Sequence, residues 1–142
     1  MRLFNRRNEL KILKKTMFLL ACAALFAACQ ESLEERAARE ARELTENKCP
    51  MPVADDMVLD SVVFDIPTLT QSQYFRFTGE KDNDSLEIDI DNARKLLVAE
   101  LKSLPTYKPL IKRGVNFRYV YYSTRNPQKI YLETLLTKED YQ

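Results

Sequence analysis

The chain has 142 residues, of which 45% are hydrophobic and 30% charged, and this composition suits one globular domain better than a disordered segment. The sequence contains no His, which excludes Ser-His-Asp and Cys-His catalysis and removes the commonest metal ligand. Its three cysteines are too few for a Cys₄ zinc site.

The formal charge of +1 is the average of two unlike parts. The whole chain has 22 Lys and Arg against 21 Asp and Glu, but the first 28 residues alone hold six basic residues and one acidic residue. The remainder therefore has 16 basic and 20 acidic residues, a net charge of −4. Because nucleic-acid binding needs a basic surface, we expect no nucleic-acid partner.

An uncharged segment of twelve residues, 17–28, follows the basic region. It is shorter than the ~20 residues that a membrane-spanning helix needs, but it has the length of the apolar region of a signal peptide. The small residues Ala27 and Ala28 then precede Cys29. The pattern predicts a signal peptide over residues 1–28.

The segment Phe26-Ala27-Ala28-Cys29 resembles the lipobox of bacterial lipoproteins. This resemblance implies cleavage before Cys29, a diacylglyceryl thioether on its sulfur and N-acylation, for example with palmitate. Several acyl chains, at about 0.8 kcal/mol per buried CH₂, anchor a protein almost permanently in a membrane. Gln30 after the cysteine implies the outer membrane and leaves the face of that membrane open. The alternatives are an ordinary secretory signal and a short anchor helix.

Residues 31–47 are rich in Ala, Glu and Arg, and their apolar residues recur at helical spacing. Because this stripe is thin and mostly Ala, we interpret the helix as a stalk between the lipid and the folded domain. Pro50 and Pro52 end it. The expected organisation is a signal peptide over 1–28, a lipidated cysteine with a helical tether over 29–48, and one small domain over 49–142.

Four later segments alternate apolar and polar residues with the period of two that β-strands show. They are residues 58–66, 74–78, 115–122 and 130–136. Between the second and the third segment, Leu96, Leu97 and Leu101 lie on one face of a predicted helix. Asp89 or Asp91 caps its start, and Pro105 ends it.

The order of these elements, a stalk helix followed by β-β-α-β-β, predicts an α+β fold with one antiparallel sheet packed against one helix. Residues 49–142 are enough for one modest core, which buries about 60–65% of the unfolded surface. We expect the helix to cover the sheet face formed by Phe75, Phe77, Phe117, Tyr119, Tyr121, Ile130 and Leu132.

The opposite sheet face is the candidate binding site. If the alternation of the strands holds, aromatic and basic side chains share this face with Glu133. Aromatic rings and guanidinium groups on a rigid sheet can hold a glycan, a peptide strand or another protein. The alternative is ordinary cross-strand pairing on a solvated face. The candidate residues are Tyr74, Arg76, Arg118, Tyr122 and Tyr131.

Two other features have weaker claims to a site. Cys49 lacks a His that would activate it, and a buried thiol, an intermolecular disulfide and a reactive thiol stay open. The acidic segment 80–91 begins like a calcium loop at Asp82-Asn83-Asp84, but Leu86 and Glu87 break that pattern. We therefore expect no metal site and no cofactor, and we interpret the acidic residues as a solvated loop and a helix cap.

These patterns predict a non-enzymatic, membrane-anchored envelope lipoprotein whose sheet face binds a protein or glycan partner. The alternative is a structural or assembly accessory subunit of an envelope complex, which docks through the stalk and the edge strands. A small hydrolase is disfavoured because no nucleophile and base are recognisable together. The segment Asn47-Lys48-Cys49-Pro50 is similar to small envelope lipoproteins of bacteria, and this resemblance implies no activity.

Overall fold

The computed structural model describes Lys11, Lys14 and residues 30–142. The predicted lipidation site Cys29 and, apart from those two lysines, the predicted signal peptide lie outside the described residues. The chain divides into two compact units, Met1–Ser32 and Leu33–Gln142, and the second unit contains the fold described below. Within the described residues, no helix is both long and apolar enough to cross a membrane.

The described part of the second unit forms four α-helices and five β-strands, with short 3₁₀ turns at Gly79–Lys81 and Pro105–Tyr107. In chain order they are α1 (Leu33–Lys48), β1 (Met51–Ala54), β2 (Met57–Asp65), β3 (Thr70–Phe77), α2 (Ile90–Ser103), α3 (Lys108–Arg113), β4 (Asn116–Ser123), β5 (Ile130–Leu136) and α4 (Lys138–Tyr141).

The five strands form one sheet in the order β1-β2-β3-β4-β5. The α+β class is confirmed, but the sheet is mixed, because β3 and β4 run parallel while the other neighbours are antiparallel. Parallel strands need a crossover of about a dozen residues or more, and the connection over 78–115 supplies it with α2 and α3. The extra strand β1 contains Pro52, and a short strand with a proline is typical of a sheet edge.

Helix α1 packs on the sheet and is not a stalk. Ala37 and Ala41 are buried, and the helix lies against β2. The hydroxyl of Thr45 accepts a hydrogen bond from the N–H of Val62 (2.8 Å) and donates one to its carbonyl (2.9 Å). The Ala stripe that made this helix resemble a spacer instead gives it a flat surface for close packing, so the folded unit begins at Leu33.

Most of the predicted core face is confirmed, and Ile130 is the exception. Ile130 is 53% exposed because a bulge interrupts the pairing of β4 with β5. Leu132 pairs with Tyr121 and Ile130 with Tyr122, which leaves one extra residue on β5 and changes the face on which Ile130 lies. The remaining predicted core residues are buried or half-buried, namely Phe75, Phe77, Phe117, Tyr119, Tyr121 and Leu132.

The docking of α1 is tested by Thr45→Val, which keeps the shape of the side chain but leaves the N–H and carbonyl of Val62 without their partner. We expect the free energy of unfolding in urea to fall by about 1–3 kcal/mol. The control is Glu46→Ala at an exposed position of the same helix, with an expected change within about 0.5 kcal/mol. If Thr45→Val unfolds like the wild type, α1 does not depend on this contact with the sheet.

Candidate functional site

The sheet face that is turned away from the helices brings together four of the five predicted binding residues. Tyr74 and Arg76 come from β3, and Arg118 and Tyr122 come from β4. The parallel register places Arg76 directly beside Tyr122. All four side chains are half-buried, since they lie against one another across neighbouring strands.

Two hydrogen-bonded networks neutralise the arginines of this face. Arg76 Nε lies 2.7 Å from Asp60 Oδ1, and the hydroxyl of Tyr122 donates to the other oxygen of that carboxylate. Burial, helped by the hydrogen bond to Asp60 and by its charge, raises the pKa of Tyr122 to about 12. The face therefore offers no unpaired guanidinium from Arg76 to an anionic ligand.

The charge of Arg118 is neutralised by hydrogen-bonded partners in the same way. Its Nε and Nη2 donate to Glu133 Oε1 at 2.8 and 2.6 Å, and its Nη1 donates to the hydroxyl of Tyr74 at 2.9 Å. The guanidinium carbon also lies 5.7 Å from the centre of the Tyr74 ring. The hydrogen bond to Glu133 raises the pKa of Arg118, so this guanidinium stays charged over the physiological pH range.

Exposed apolar side chains surround these networks. Val63, Ile130 and Leu135 are 51%, 53% and 45% exposed. A shallow depression of about 310 Å³ lies among Ser61, Tyr74, Val120, Tyr122, Pro127 and Ile130. A charge-compensated face with apolar side chains suits the surface of another protein better than a charged glycan. The binding role of this face stays a prediction.

The fifth predicted residue, Tyr131, is displaced by the β5 bulge and holds a loop. Its hydroxyl donates to Asp82 Oδ1 at 2.8 Å and lies 3.1 Å from the carbonyl of Asn83. Its ring meets the ring of Phe77 edge-on at 5.5 Å, and Lys129 Nζ lies 4.7 Å from its centre. Tyr131 therefore has a structural role, because it holds the loop over residues 78–84 from its position in β5.

Asp82 is the buried carboxylate of that loop, with 2% exposure. Burial alone would raise its pKa, but hydrogen bonds from Ser123, from the N–H of Arg125 and from Tyr131 outweigh this effect and lower the pKa to about 2. The carboxylate that begins the calcium-like segment is thus occupied by donors of the protein itself. In the part of the chain that the structure describes, no three acidic, Cys or His side chains are grouped as metal ligands.

The lowered pKa of Asp82 makes a pH-dependent contribution to stability. The charged form stabilises the fold fully above the unfolded pKa of about 3.9, and this contribution is lost as the pH falls toward 2. We expect Asp82→Asn to unfold at lower urea concentration than the wild type at pH 7, and the difference to shrink between pH 4 and pH 2. A difference that is constant with pH would contradict this account, and Glu87→Gln at an exposed position is the control.

Cys49 has the environment of a structural thiol. It is half-buried and packs against the hydrophobic core. Burial, followed by the negative charge of Asp60, raises the pKa of its thiol. Because the thiolate is the nucleophile, a raised pKa makes Cys49 less reactive than an ordinary cysteine.

A second candidate site, which the sequence did not reveal, is a groove of about 310 Å³ between α1 and residues 105–113. We call it the α1–α3 groove. Its floor includes Gln71, which is only 8% exposed and whose side chain forms no hydrogen bond with any other described residue. Among the described residues no fully buried side-chain nitrogen or oxygen lacks a hydrogen-bond partner, so the amide of Gln71 is accessible from the groove and can bond a ligand group there. The groove is lined by Leu33, Arg36, Ala37, Glu40, Ala41, Leu44, Val62, Gln71, Thr106, Tyr107, Pro109 and Leu110.

Contacts between the two walls and the sheet fix this groove. Arg113 Nε of α3 lies 2.5 Å from Glu34 Oε1 of α1, which ties the two helices together. Beside the floor, Gln73 Nε2 donates to the hydroxyl of Tyr107 at 3.4 Å. The sequence predicted that this strand begins at Tyr74. Because β3 begins at Thr70, Gln71 and Gln73 belong to the strand, and its alternation places both of them toward the helices.

The segment that reaches from the start of α1 into β5 identifies the family of the protein. Residues 32–132 match the family described as a domain of unknown function, DUF8479. The chain belongs to the DUF8479 family. No curated protein matches its sequence.

Solved structures share the fold of this DUF8479 protein. A Pseudomonas aeruginosa protein that is thought to be secreted is 11% identical, with a TM-score of 0.59 over 80% of this chain and 100% of that one. The pilotin EpsS of the Vibrio vulnificus type 2 secretion system is 13% identical, with a TM-score of 0.59 over 78% and 92%. The type II pilotin AspS of Vibrio cholerae is 16% identical, with a TM-score of 0.55 over 81% and 97%. At these identities the likeness is one of fold.

Proposed function

We propose that this DUF8479 protein is a non-enzymatic accessory protein of the bacterial cell envelope, which holds a segment of a partner protein in the α1–α3 groove. The observation that carries the proposal is the groove itself, about 310 Å³ between α1 and residues 105–113, with the accessible amide of Gln71 at its floor. The fold shared with two pilotins of secretion systems supports an assembly role. This favours the accessory alternative over a binding module that acts through the open sheet face.

The dimensions and chemistry of the groove suit a short helix of a partner. From Leu33 to Leu44, its α1 wall extends about 17 Å at 1.5 Å per residue, which is three helical turns. Ala37 and Ala41 are small and allow a close approach, while Gln71 can both donate and accept a hydrogen bond. A groove with a mainly apolar lining and an amide at its floor fits an amphipathic helix that carries a polar side chain on its apolar face.

A non-enzymatic role agrees with the state of the reactive groups. The sequence has no His, and the pKa of the Cys49 thiol is raised. The carboxylates of Asp60, Asp82 and Glu133 are each held by donors of the protein. Pairing of this kind stabilises structure and makes these three carboxylates poor general bases.

Anchoring through Cys29 is part of the proposal, and its test is Cys29→Ala. We expect this variant to leave the membrane fraction and to lose labelling by a palmitate analogue, because the acyl chains supply the anchoring energy. Cys49→Ala is the matched control, which we expect to stay in the membrane and to keep the label. Membrane-bound Cys29→Ala protein would overturn the anchor.

The groove is tested by Glu40→Trp, which places a large ring on the groove wall at an exposed position. In a strain that lacks the gene, we expect at least one envelope assembly to decrease on native gels of the membrane fraction, identified by mass spectrometry. The wild type should restore it, and Glu40→Trp should restore it about ten-fold less well.

Glu46→Trp is the matched control, because it changes the same residue type at another exposed position of α1, outside the lining of the groove. We expect this variant to restore the assembly fully, and circular dichroism should show both variants folded. If no envelope assembly depends on the gene, or if the two variants restore it equally, the proposed function is wrong.

A further inference from the structure

A second apolar pocket lies between α2 and the sheet, formed by elements other than those of the α1–α3 groove. Its volume is about 190 Å³. In another protein an engineered apolar cavity of about 150 Å³ binds benzene, so this pocket has room for one aromatic or branched aliphatic side chain. Its lining residues are Phe77, Ile88, Ala93, Leu96, Leu97, Tyr121 and Leu132.

Exposed apolar side chains accompany this pocket. Leu96 lines it and is nevertheless 64% exposed, and Ile90 at the start of the same helix is 54% exposed. Within the pocket, the rings of Phe77 and Tyr121 stack at 5.6 Å. A preformed apolar pocket beside protruding apolar side chains is typical of a protein interaction site.

Three carboxylates lie near lining residues of the pocket in the chain. Glu87 and Asp89 flank the lining residue Ile88 in the chain, and Glu100 follows Leu96 by one helical turn. Burial raises the pKa of Tyr121 in the pocket wall to about 12, and the charge of Glu100 contributes to this shift. Within the described part of the chain, none of these three carboxylates takes part in an ion pair.

Two basic side chains near the pocket, Lys129 and Arg94, are already engaged. Lys129 Nζ, above the ring of Tyr131, lies 2.8 Å from Asp84, and Arg94 of α2 lies 2.6 Å from Asp140. Lys95 lies with Arg94 and Asp91 in a separate depression. The three carboxylates outnumber Lys95, so the surroundings of the pocket keep a net negative charge, and we call it the acid-rimmed pocket.

We infer that the acid-rimmed pocket binds a segment of a partner protein in which one large apolar side chain is flanked by Lys or Arg. The apolar side chain fills the pocket, and the basic residues pair with Glu87 and Glu100, while Asp89 caps α2 by accepting a hydrogen bond from the N–H of Asn92. Such pairing steers association and selects among partners. An anionic membrane is not the occupant, because the carboxylates repel it, and a second copy would bring together two acidic surfaces.

The experiment selects random dodecapeptides displayed on phage against the full chain in mild detergent, and measures the selected peptides by fluorescence anisotropy. We expect a consensus of one aromatic or branched aliphatic residue between basic residues. Leu96→Ser should weaken binding by about ten-fold or more, since it removes a large apolar contact. Val63→Ser, which alters an exposed apolar residue of the open sheet face, is the control and should not change the affinity.

The charges are tested by the double variant Glu87→Gln and Glu100→Gln. We expect it to bind the selected peptides about three-fold to ten-fold more weakly, with a smaller dependence on salt. The inference is overturned if no peptide is enriched, if the enriched peptides lack basic residues, or if either set of substitutions leaves the affinity unchanged.

This inference does not rest on the proposed function, and its failure can be distinguished from a failure of that proposal. Glu40→Trp changes the α1–α3 groove and not the acid-rimmed pocket, so this variant should bind the selected peptides like the wild type. A Glu40→Trp protein that loses the peptides would show that they occupy the groove, and this would overturn the assignment to the acid-rimmed pocket.

Discussion

The parallel pairing of β3 with β4 is the constraint on which the rest of the structure depends. Two parallel neighbours cannot be joined by a tight turn, so the chain has to cross back over the sheet between Phe77 and Asn116. This crossover contains α2 and α3, and the face it covers is the one on which α1 packs. The α1–α3 groove lies where α1 and α3 leave a gap, and the acid-rimmed pocket lies where α2 meets the sheet. Both proposed interaction sites are therefore products of one crossover.

The two faces of the sheet differ in how far their polar groups are compensated. On the open face, Arg76 and Arg118 each have a carboxylate and a tyrosine hydroxyl as partners. A ligand would have to break these bonds, and the gain from new contacts would be offset by the loss. On the helical face, Gln71 has no side-chain partner among the described residues, and neither Glu87 nor Glu100 takes part in an ion pair there. A partner that pairs with these groups breaks no bond within the described protein, which is why we place both proposed sites on the helical side.

The sequence predicts single elements of this protein better than it predicts their arrangement. The helix that ends before Pro105, its cap at Asp89 and the inward faces of Phe117 and Tyr119 follow from periodicity and are confirmed. The direction of the strands cannot be predicted from periodicity, because parallel and antiparallel strands share the period of two. The bulge that moves Ile130 and Tyr131 depends on pairing with β4, which is not a local property of β5. The Ala stripe of α1 was interpreted as a spacer because its burial depends on contacts with β2, which the sequence of the helix does not show.

Gln71 also illustrates why a candidate site can escape a reading of the sequence. Glutamine in a strand is ordinarily assigned to the solvated face, yet the alternation Gln71, Gln73, Phe75 places both glutamines toward the helices. Gln73 has the hydroxyl of Tyr107 as a partner, so its burial has a structural reason. Gln71 has no such partner among the described residues, and its amide is accessible from the α1–α3 groove. The side chain therefore makes no hydrogen bond that folding would require, and its position at the floor of the groove gives it a reason that a partner in the α1–α3 groove would supply.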